Sequence, residues 1–168
     1  MGEKTNIQVG EPLSCQIDYS LSEKELGKYF DSQMALVRNG QEELSTVELM
    51  MLGYALDFIS FAKNAAHVDI NFGEESLERF DAVLEAVHVP MQKGELPENQ
   101  FYDIVKSATG FFGVFLFKNI GGSWVQTNIG PAVRLKETNA FIYNRVVRRI
   151  QNGKKDDIIS FYNTLKSM

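Results

Sequence analysis

The most constraining feature of the sequence is an uninterrupted apolar run with two embedded glycines, ATGFFGVFLF at residues 108–117. A helix that is apolar on every side is normally buried by its neighbours. Gly110 and Gly113 are three residues apart, so they share one helix face, where another helix can approach closely. An interior glycine costs about 1 kcal/mol relative to alanine. The run therefore predicts a central helix, from about residue 97 to 118, and close packing as the reason for both glycines.

Two further glycines follow this helix directly. Gly121 and Gly122 predict its end, because a left-handed cap is a conformation that glycine adopts at little cost. A phosphate-binding loop would need its glycines after a strand and before a helix, with a Lys-Ser/Thr pair. Here Gly121-Gly122-Ser123 follows a helix and precedes a strand. The glycines therefore predict architecture rather than phosphate chemistry.

A small β-hairpin is predicted after these glycines. Its strands are 124–127 and 132–135, joined by a four-residue loop that contains Gly and Pro. Trp124, the single tryptophan, begins the first strand. Such a residue either anchors the hairpin on the helices or lines a ligand groove with its indole N–H. Asn139 is predicted to cap the helix that follows the hairpin.

The remaining segments favour helices. Ser22 with Glu25, and Ser45 with Glu48, have capping-box spacing. An apolar helix, 45–63, is predicted to be central, and Glu74–Val87 has the apolar spacing of a surface helix. The predicted helices are 23–38, 45–63, 74–87, 97–118, about 139–152 and 155–166, with a polar linker at 90–95. The prediction is an α+β fold: a mainly helical single domain of five or six helices with one hairpin, residues 21–168, after a leader, 1–20, that is extended or partly disordered.

The composition places the chain among ordinary globular domains. It has 168 residues, 44% of them hydrophobic, and a chain of this length can bury a core without metals or disulfides. A single cysteine, Cys15, cannot form an internal disulfide. The first ten residues contain no apolar signal region, and the most apolar helix is interrupted by Glu48 and Asp57. The sequence predicts a cytoplasmic, soluble protein with no membrane segment.

Charge is unevenly distributed along the chain. The formal net charge is −5, yet residues 133–168 hold 8 basic and 3 acidic side chains. The overall acidity disfavours a nucleic-acid partner. The basic end either pairs with the acidic part inside the fold or presents a basic face to an anionic partner.

Arginines in this basic end form the leading candidate site. Arg145, Arg148 and Arg149 share one side of the predicted helix, and Arg134 of the hairpin can join them. Convergent guanidinium groups bind carboxylates and phosphates. The alternative is that they pair with the acidic stripe on helix 74–87, formed by Glu74, Glu78, Asp81 and Glu85.

Three other sets of side chains are candidates for a structural or functional role. Asp57, between Leu56 and Phe58 in an apolar helix, is predicted to be buried and paired with Arg134 or Arg145. His67 and His88 lack the spacing of metal ligands, so neither a metal nor a cofactor is predicted. A ligand pocket between hairpin and helices would bring together Trp124, Arg134, Asn139, Tyr143 and Arg145.

Four segments between Ile70 and Tyr162 carry a resemblance to known proteins: ESLERFDAVLEAV, TGFFGVFLFKNIGGSW, the hairpin end AVRL and NAFIYNRVVRRIQNGKKDDIISFY. Together they resemble an uncharacterised family of bacterial proteins. Val114 stands where the family often has Glu, and Thr109 where it often has Gly. The resemblance implies a fold and a bacterial origin but no chemistry.

Two functions follow as hypotheses. The first is a non-enzymatic binding or interaction module with a protein partner, for which an immunity protein that neutralises its partner is one model. The second is a small-molecule enzyme or ligand sensor that uses the pocket described above. No catalytic constellation favours an enzyme.

Overall fold

The protein was analysed as a computed structural model that describes residues 9–12, 17–40 and 46–168. The described part contains six α-helices and four short strands. The mainly helical α+β single domain predicted from the sequence is confirmed. In chain order the elements are β1 (Val9–Pro12), α1 (Glu23–Arg38), α2 (Thr46–Ala66), α3 (Leu77–Gln92), α4 (Glu98–Asn119), β2 (Ser123–Thr127), β3 (Gly130–Leu135), β4 (Thr138–Ala140), α5 (Ile142–Asn152) and α6 (Ile158–Lys166).

Helices α2 and α4 pack closely at the centre of the domain. A Cβ placed on Gly110 would lie 2.6 Å from the Met51 carbonyl oxygen and 2.9 Å from the Ala55 backbone nitrogen. The α4 backbone therefore rests directly on the α2 backbone at this point. Every residue from Ser107 to Phe117 is buried, as the apolar run predicted.

The core around these two helices is aromatic. The ring centroid of Phe111 lies 5.5 Å from that of Phe58, 5.4 Å from that of Phe72 and 4.9 Å from that of Phe80. Burying each such side chain contributes about 1.5–3 kcal/mol, and tilted or offset ring pairs add to it. This cluster fixes α2, α3 and α4 relative to one another.

The helix ends are set by local sequence. Ser22 accepts a hydrogen bond from the Glu25 N–H, and the Glu25 carboxylate accepts one from the Ser22 N–H. The predicted capping box and the bounds 23–38 of α1 are thus confirmed. Gly121 and Gly122 have φ of 91° and 104°, and the Gly121 N–H donates to the Leu116 carbonyl, 3.0 Å away. The chain leaves α4 through this left-handed pair and enters β2.

The predicted hairpin is part of a larger antiparallel sheet in the order β1-β2-β3-β4. Its loop has two residues, Asn128 and Ile129, rather than four, because Gly130 pairs with Thr127. The Thr127 hydroxyl donates to the Gly130 carbonyl over 2.6 Å and accepts from the Ile129 N–H. These two hydrogen bonds tighten the turn.

Two of the differences from the predicted boundaries lie at Asn139 and in the linker 90–95. Asn139 is not a helix cap: it lies in β4, paired with Arg134, and α5 begins after Phe141. The predicted linker 90–95 is shorter, because α3 continues through Pro90 to Gln92. Proline removes one backbone donor from a helix, and here the lost bond affects only the last turn.

The predicted leader, 1–20, is described in two pieces. Val9–Pro12 pairs with β2, and the side chains of Ile17 and Tyr19 are buried in the core. Cys15 and Ser45, the predicted cap of α2, lie outside the described residues. The division into a leader and a domain at residue 20 stays a prediction.

Candidate functional site

Arg149 is the most buried of the four candidate arginines. Its side chain is inaccessible to solvent, and it faces α3. Its Nε donates to Asp81 Oδ1 over 2.8 Å and its Nη2 to Asp81 Oδ2 over 3.2 Å. Its Nη1 lies 2.7 Å from Glu85 Oε2, an ionic contact outside hydrogen-bond geometry. Two carboxylates therefore occupy the guanidinium, and it joins α5 to α3.

The pKa of the Glu85 carboxyl reflects this contact. The Arg149 guanidinium lowers the pKa below its usual value, against a smaller opposing effect of burial. A lowered folded-state pKa contributes stability that is present above the unfolded pKa, near 4.5, and is lost as pH falls through the folded pKa. Glu85 thus stabilises the fold at neutral pH and ceases to do so in acid.

This effect can be tested with Glu85→Gln. We expect the variant to be less stable than the wild type at pH 7, and the difference to shrink steadily below pH about 4.5, because a protonated Glu85 resembles glutamine. Urea unfolding from pH 7 to pH 3 measures the difference. Glu78→Gln, an exposed acid on the same helix, controls for the loss of one negative charge. A Glu85→Gln difference independent of pH would contradict the assignment.

The other three arginines have separate surroundings. Arg145 lies 3.5 Å from Asp156 and its guanidinium sits 4.6 Å from the Phe161 ring centroid. Arg148 is exposed, and Arg134 donates from Nε to the Lys136 carbonyl. The alternative of pairing with the acidic stripe fits Arg149, which contacts Asp81 and Glu85. Arg145 instead pairs with Asp156, which lies outside that stripe, and the four arginines do not share one anion site.

Trp124 anchors the sheet on α4. Its side chain is fully buried, its ring stands at 90° to the Phe117 ring with centroids 5.3 Å apart, and it occupies the space that a Cβ on Gly113 would need. Its indole nitrogen, like Asn139 Oδ1, is buried without a hydrogen bond to the described residues. Gly113 thus lets the tryptophan lie against the helix backbone.

Asp57 is exposed rather than buried. Partial desolvation still raises the pKa of its carboxyl, but no ion pair among the described residues involves it. The reason is that α2 is covered on one side by α4, whereas the side that carries Met50, Tyr54 and Asp57 borders cavities. The uniformly apolar sequence of α2 concealed this open face.

A cavity of about 360 Å³ opens between the hairpin and the helices. Its apolar side chains come from three parts of the chain: Met50 and Met51 from α2, Ile129 and Pro131 from the hairpin, and Phe141 at the start of α5. Ligand cavities typically measure about 300–1,000 Å³ and are largely apolar. In position and lining this cavity fits a small ligand.

Polar side chains complete the cavity wall. They are Tyr54, Lys106, Thr109, Tyr143 and Asn144. The Thr109 hydroxyl donates to the Val105 carbonyl; the other four have no hydrogen bond or ion pair to the described residues. Desolvation, aided by the neighbouring Tyr102, raises the pKa of Tyr143, so its hydroxyl stays protonated and can donate.

Tyr54 also borders two adjoining cavities. One lies between α1 and α2 beside Phe30 and Met34, and the other lies toward α4 beside Asp103. Lys106 lines both the main cavity and the one that contains Asp57 and Asp103. The face of α2 that carries Met50, Tyr54 and Asp57 therefore borders three cavities along its length.

Of the five residues predicted to share a pocket, Tyr143 lines the main cavity. The other four, Trp124, Arg134, Asn139 and Arg145, are not among its lining residues. The sequence reasoning missed Met50, Tyr54, Lys106 and Ile129. The signal for Met50 and Tyr54 was present, since they are spaced by four on one face of α2. The sequence also contained a signal for Ile129, because it is an apolar residue in a predicted turn. In the structure its side chain is 51% exposed.

Comparison with known proteins gives this chain no relative: no protein-family model, curated protein or solved structure matches it. In the described ranges, no helix is long and apolar enough to cross a membrane, and no three His, Cys, Asp or Glu side chains are grouped as metal ligands would be. His88 instead contacts the Ile150 carbonyl, 2.7 Å from its Nδ1.

Proposed function

We propose that the protein is a non-catalytic binding module that holds a small, largely apolar molecule in the cavity between α2, α4, the hairpin and α5. The observation that carries the proposal is the cavity itself, because apolar side chains from three parts of the chain line an open cleft of about 360 Å³ beside four side chains with unused hydrogen-bonding groups. This combination is typical of small-molecule sites.

The volume limits the size of the ligand. Transfer of an apolar group from water is favourable by about 25 cal/mol per Å², and releasing waters from apolar walls supplies the driving force. An aromatic molecule of up to three rings, or a short branched aliphatic one, matches this space.

The variant Met50→Asp tests the proposal. We expect it to weaken binding of N-phenyl-1-naphthylamine, a neutral fluorescent reporter, at least tenfold, because it places a carboxylate against the apolar ligand. Fluorescence titration gives the Kd. The matched control is Val89→Asp on α3, since Met50 and Val89 are both 44% exposed and Val89 is not among the cavity-lining residues.

The outcome can contradict the proposal in two ways. If the wild type does not bind the neutral reporter, the cavity does not take up apolar molecules. If Met50→Asp and Val89→Asp weaken binding equally, the reporter sits elsewhere. Far-ultraviolet circular dichroism confirms that both variants keep the helical fold.

A protein partner is the second candidate. Exposed apolar side chains flank the cavity, with Val37 and Ile129 at 40% and 51% exposure, and such patches commonly mark interaction sites. A partner that α2 binds would be captured from native cells by Val89→Asp protein but not by Met50→Asp protein. Stoichiometric capture of this kind, without reporter binding, would favour the interaction module.

A further inference from the structure

Four of the five polar side chains that line the main cavity have hydrogen-bond donors that no described residue accepts. They are the hydroxyls of Tyr54 and Tyr143, the amide of Asn144 and the ammonium of Lys106, whereas the Thr109 hydroxyl donates to the Val105 carbonyl. No acidic side chain of the described residues lines this cavity, although the chain as a whole carries a net charge of −5. The lining of the cavity is therefore positively charged, whereas the chain as a whole is negatively charged.

Lys106 is the single charged residue in that lining. Several other basic side chains have a partner in the described fold: Arg149 has Asp81, Arg145 has Asp156 and Lys166 has Glu74. Lys106 is exposed, and no ion pair or side-chain hydrogen bond within the described ranges involves its ammonium. Its ammonium can therefore bind a ligand without first breaking an internal contact.

The acidic groups nearest in sequence or in the adjoining cavity have to be considered. Asp103 is three residues before Lys106 on α4. Together with Asp57 it lines the adjoining cavity, which Lys106 also lines. Neither lies within the 4.0 Å of an ion pair with the ammonium. They compete with a ligand for the lysine only through solvent, where the attraction is weak.

We propose that the ligand is an amphipathic carboxylate, whose apolar body lies between Met50, Met51, Ile129 and Phe141 and whose carboxylate contacts Lys106. One ammonium supplies one charge, which suits a carboxylate; a phosphate dianion is usually held by arginine forks or several cations. Tyr143, protonated at neutral pH, donates to a second acceptor atom. This inference rests on the proposed function, because it specifies the ligand class of the same cavity.

The test compares two probes of equal shape, 4-phenylbutyrate and 4-phenylbutyramide, by displacement of the neutral reporter at low salt. We expect the wild type to bind the carboxylate at least fivefold more tightly than the amide. Lys106→Met should reduce this preference to less than twofold and leave the amide affinity unchanged or higher. Lys106→Arg should preserve it, and Lys155→Met, which removes an exposed lysine outside the cavity lining, serves as the control for overall charge.

Each outcome separates this inference from the proposed function. Equal binding of acid and amide overturns the carboxylate assignment while the cavity keeps its binding role. Reporter binding that neither probe displaces also overturns the ligand class. A wild type that does not bind the reporter overturns the proposed function itself. A preference retained in Lys106→Met assigns the charge recognition to another group and contradicts the role of Lys106.

Discussion

Replacing Gly110 with alanine is expected to lower the free energy of unfolding by about 2 kcal/mol, which is the cost of overpacking less the gain in helix propensity. The added Cβ would lie 2.6 Å from the Met51 carbonyl oxygen, 2.7 Å from Tyr54 Cβ and 2.9 Å from the Ala55 nitrogen. Two of these atoms belong to the α2 backbone, so no side-chain rotation relieves the clash. The two central helices would have to move apart, and the contacts of a close-packed core would be lost with them.

The gain in helix propensity does not offset this loss. Alanine is about 1 kcal/mol more favourable than glycine inside a helix, whereas overpacking a core costs about 1–3 kcal/mol and occasionally more. The matched control is Gly27→Ala in α1, where the added Cβ meets no described atom within 4 Å beyond the adjacent residues and backbone of its own helix. Here we expect a gain of about 0.5–1 kcal/mol.

Urea unfolding monitored by circular dichroism measures both changes. A Gly110→Ala protein as stable as the wild type would show that α2 and α4 are not in close contact at this point. Since the free energy of unfolding of a domain is about 5–15 kcal/mol, a loss of the expected size lowers the denaturation midpoint strongly. Because Tyr54 borders the cavity, the variant should also weaken reporter binding.

The sequence predicted the architecture well because the architecture depends on local signals. The apolar run at 108–117 identified the central helix, and Gly110 identified the contact face. Ser22 and Glu25 identified the start of α1. Such signals depend on residues three or four apart, which a helix places on one side, so they can be read without knowing the tertiary structure.

The candidate site was predicted less well because it depends on contacts distant in sequence. The cavity combines Met50 of α2, Lys106 of α4, Ile129 of the hairpin and Tyr143 of α5. No periodicity relates these positions. The open face of α2 was also concealed, because an apolar helix is expected to be covered on all sides, yet Met50 remains 44% exposed.

The arginine cluster is a second case in which the local sequence could not predict contacts between residues distant in sequence. Helical spacing placed Arg145, Arg148 and Arg149 on one side of α5, but it could not distinguish a solvent-facing site from an internal one. The deciding fact is the position of α3, whose Asp81 meets Arg149 across 68 residues of sequence. Three neighbouring residues of like charge consequently have different environments.

Replacing Arg149 with methionine is expected to destabilise the fold by about 3–5 kcal/mol, because removing one partner of a buried ion pair leaves the other without compensation. Asp81 would lose two hydrogen bonds from the guanidinium, at 2.8 and 3.2 Å, and retain the Ile158 N–H at 3.4 Å. Arg148→Met, the same change at the adjacent exposed residue, should alter the stability by about 0.5 kcal/mol or less. Urea unfolding of the two variants gives the comparison directly.

Two further measurements distinguish a structural role of Arg149 from a ligand-binding one. Asp81→Asn in the Arg149→Met background removes the uncompensated charge. The double variant should therefore lose less free energy of unfolding than the sum of the losses of the two single variants, by about 0.5–3 kcal/mol. At a temperature where Arg149→Met remains folded, its affinity for 4-phenylbutyrate should equal that of the wild type, because Arg149 is not among the cavity-lining residues. Loss of carboxylate binding in the folded variant would instead indicate that Arg149 of α5 takes part in anion binding.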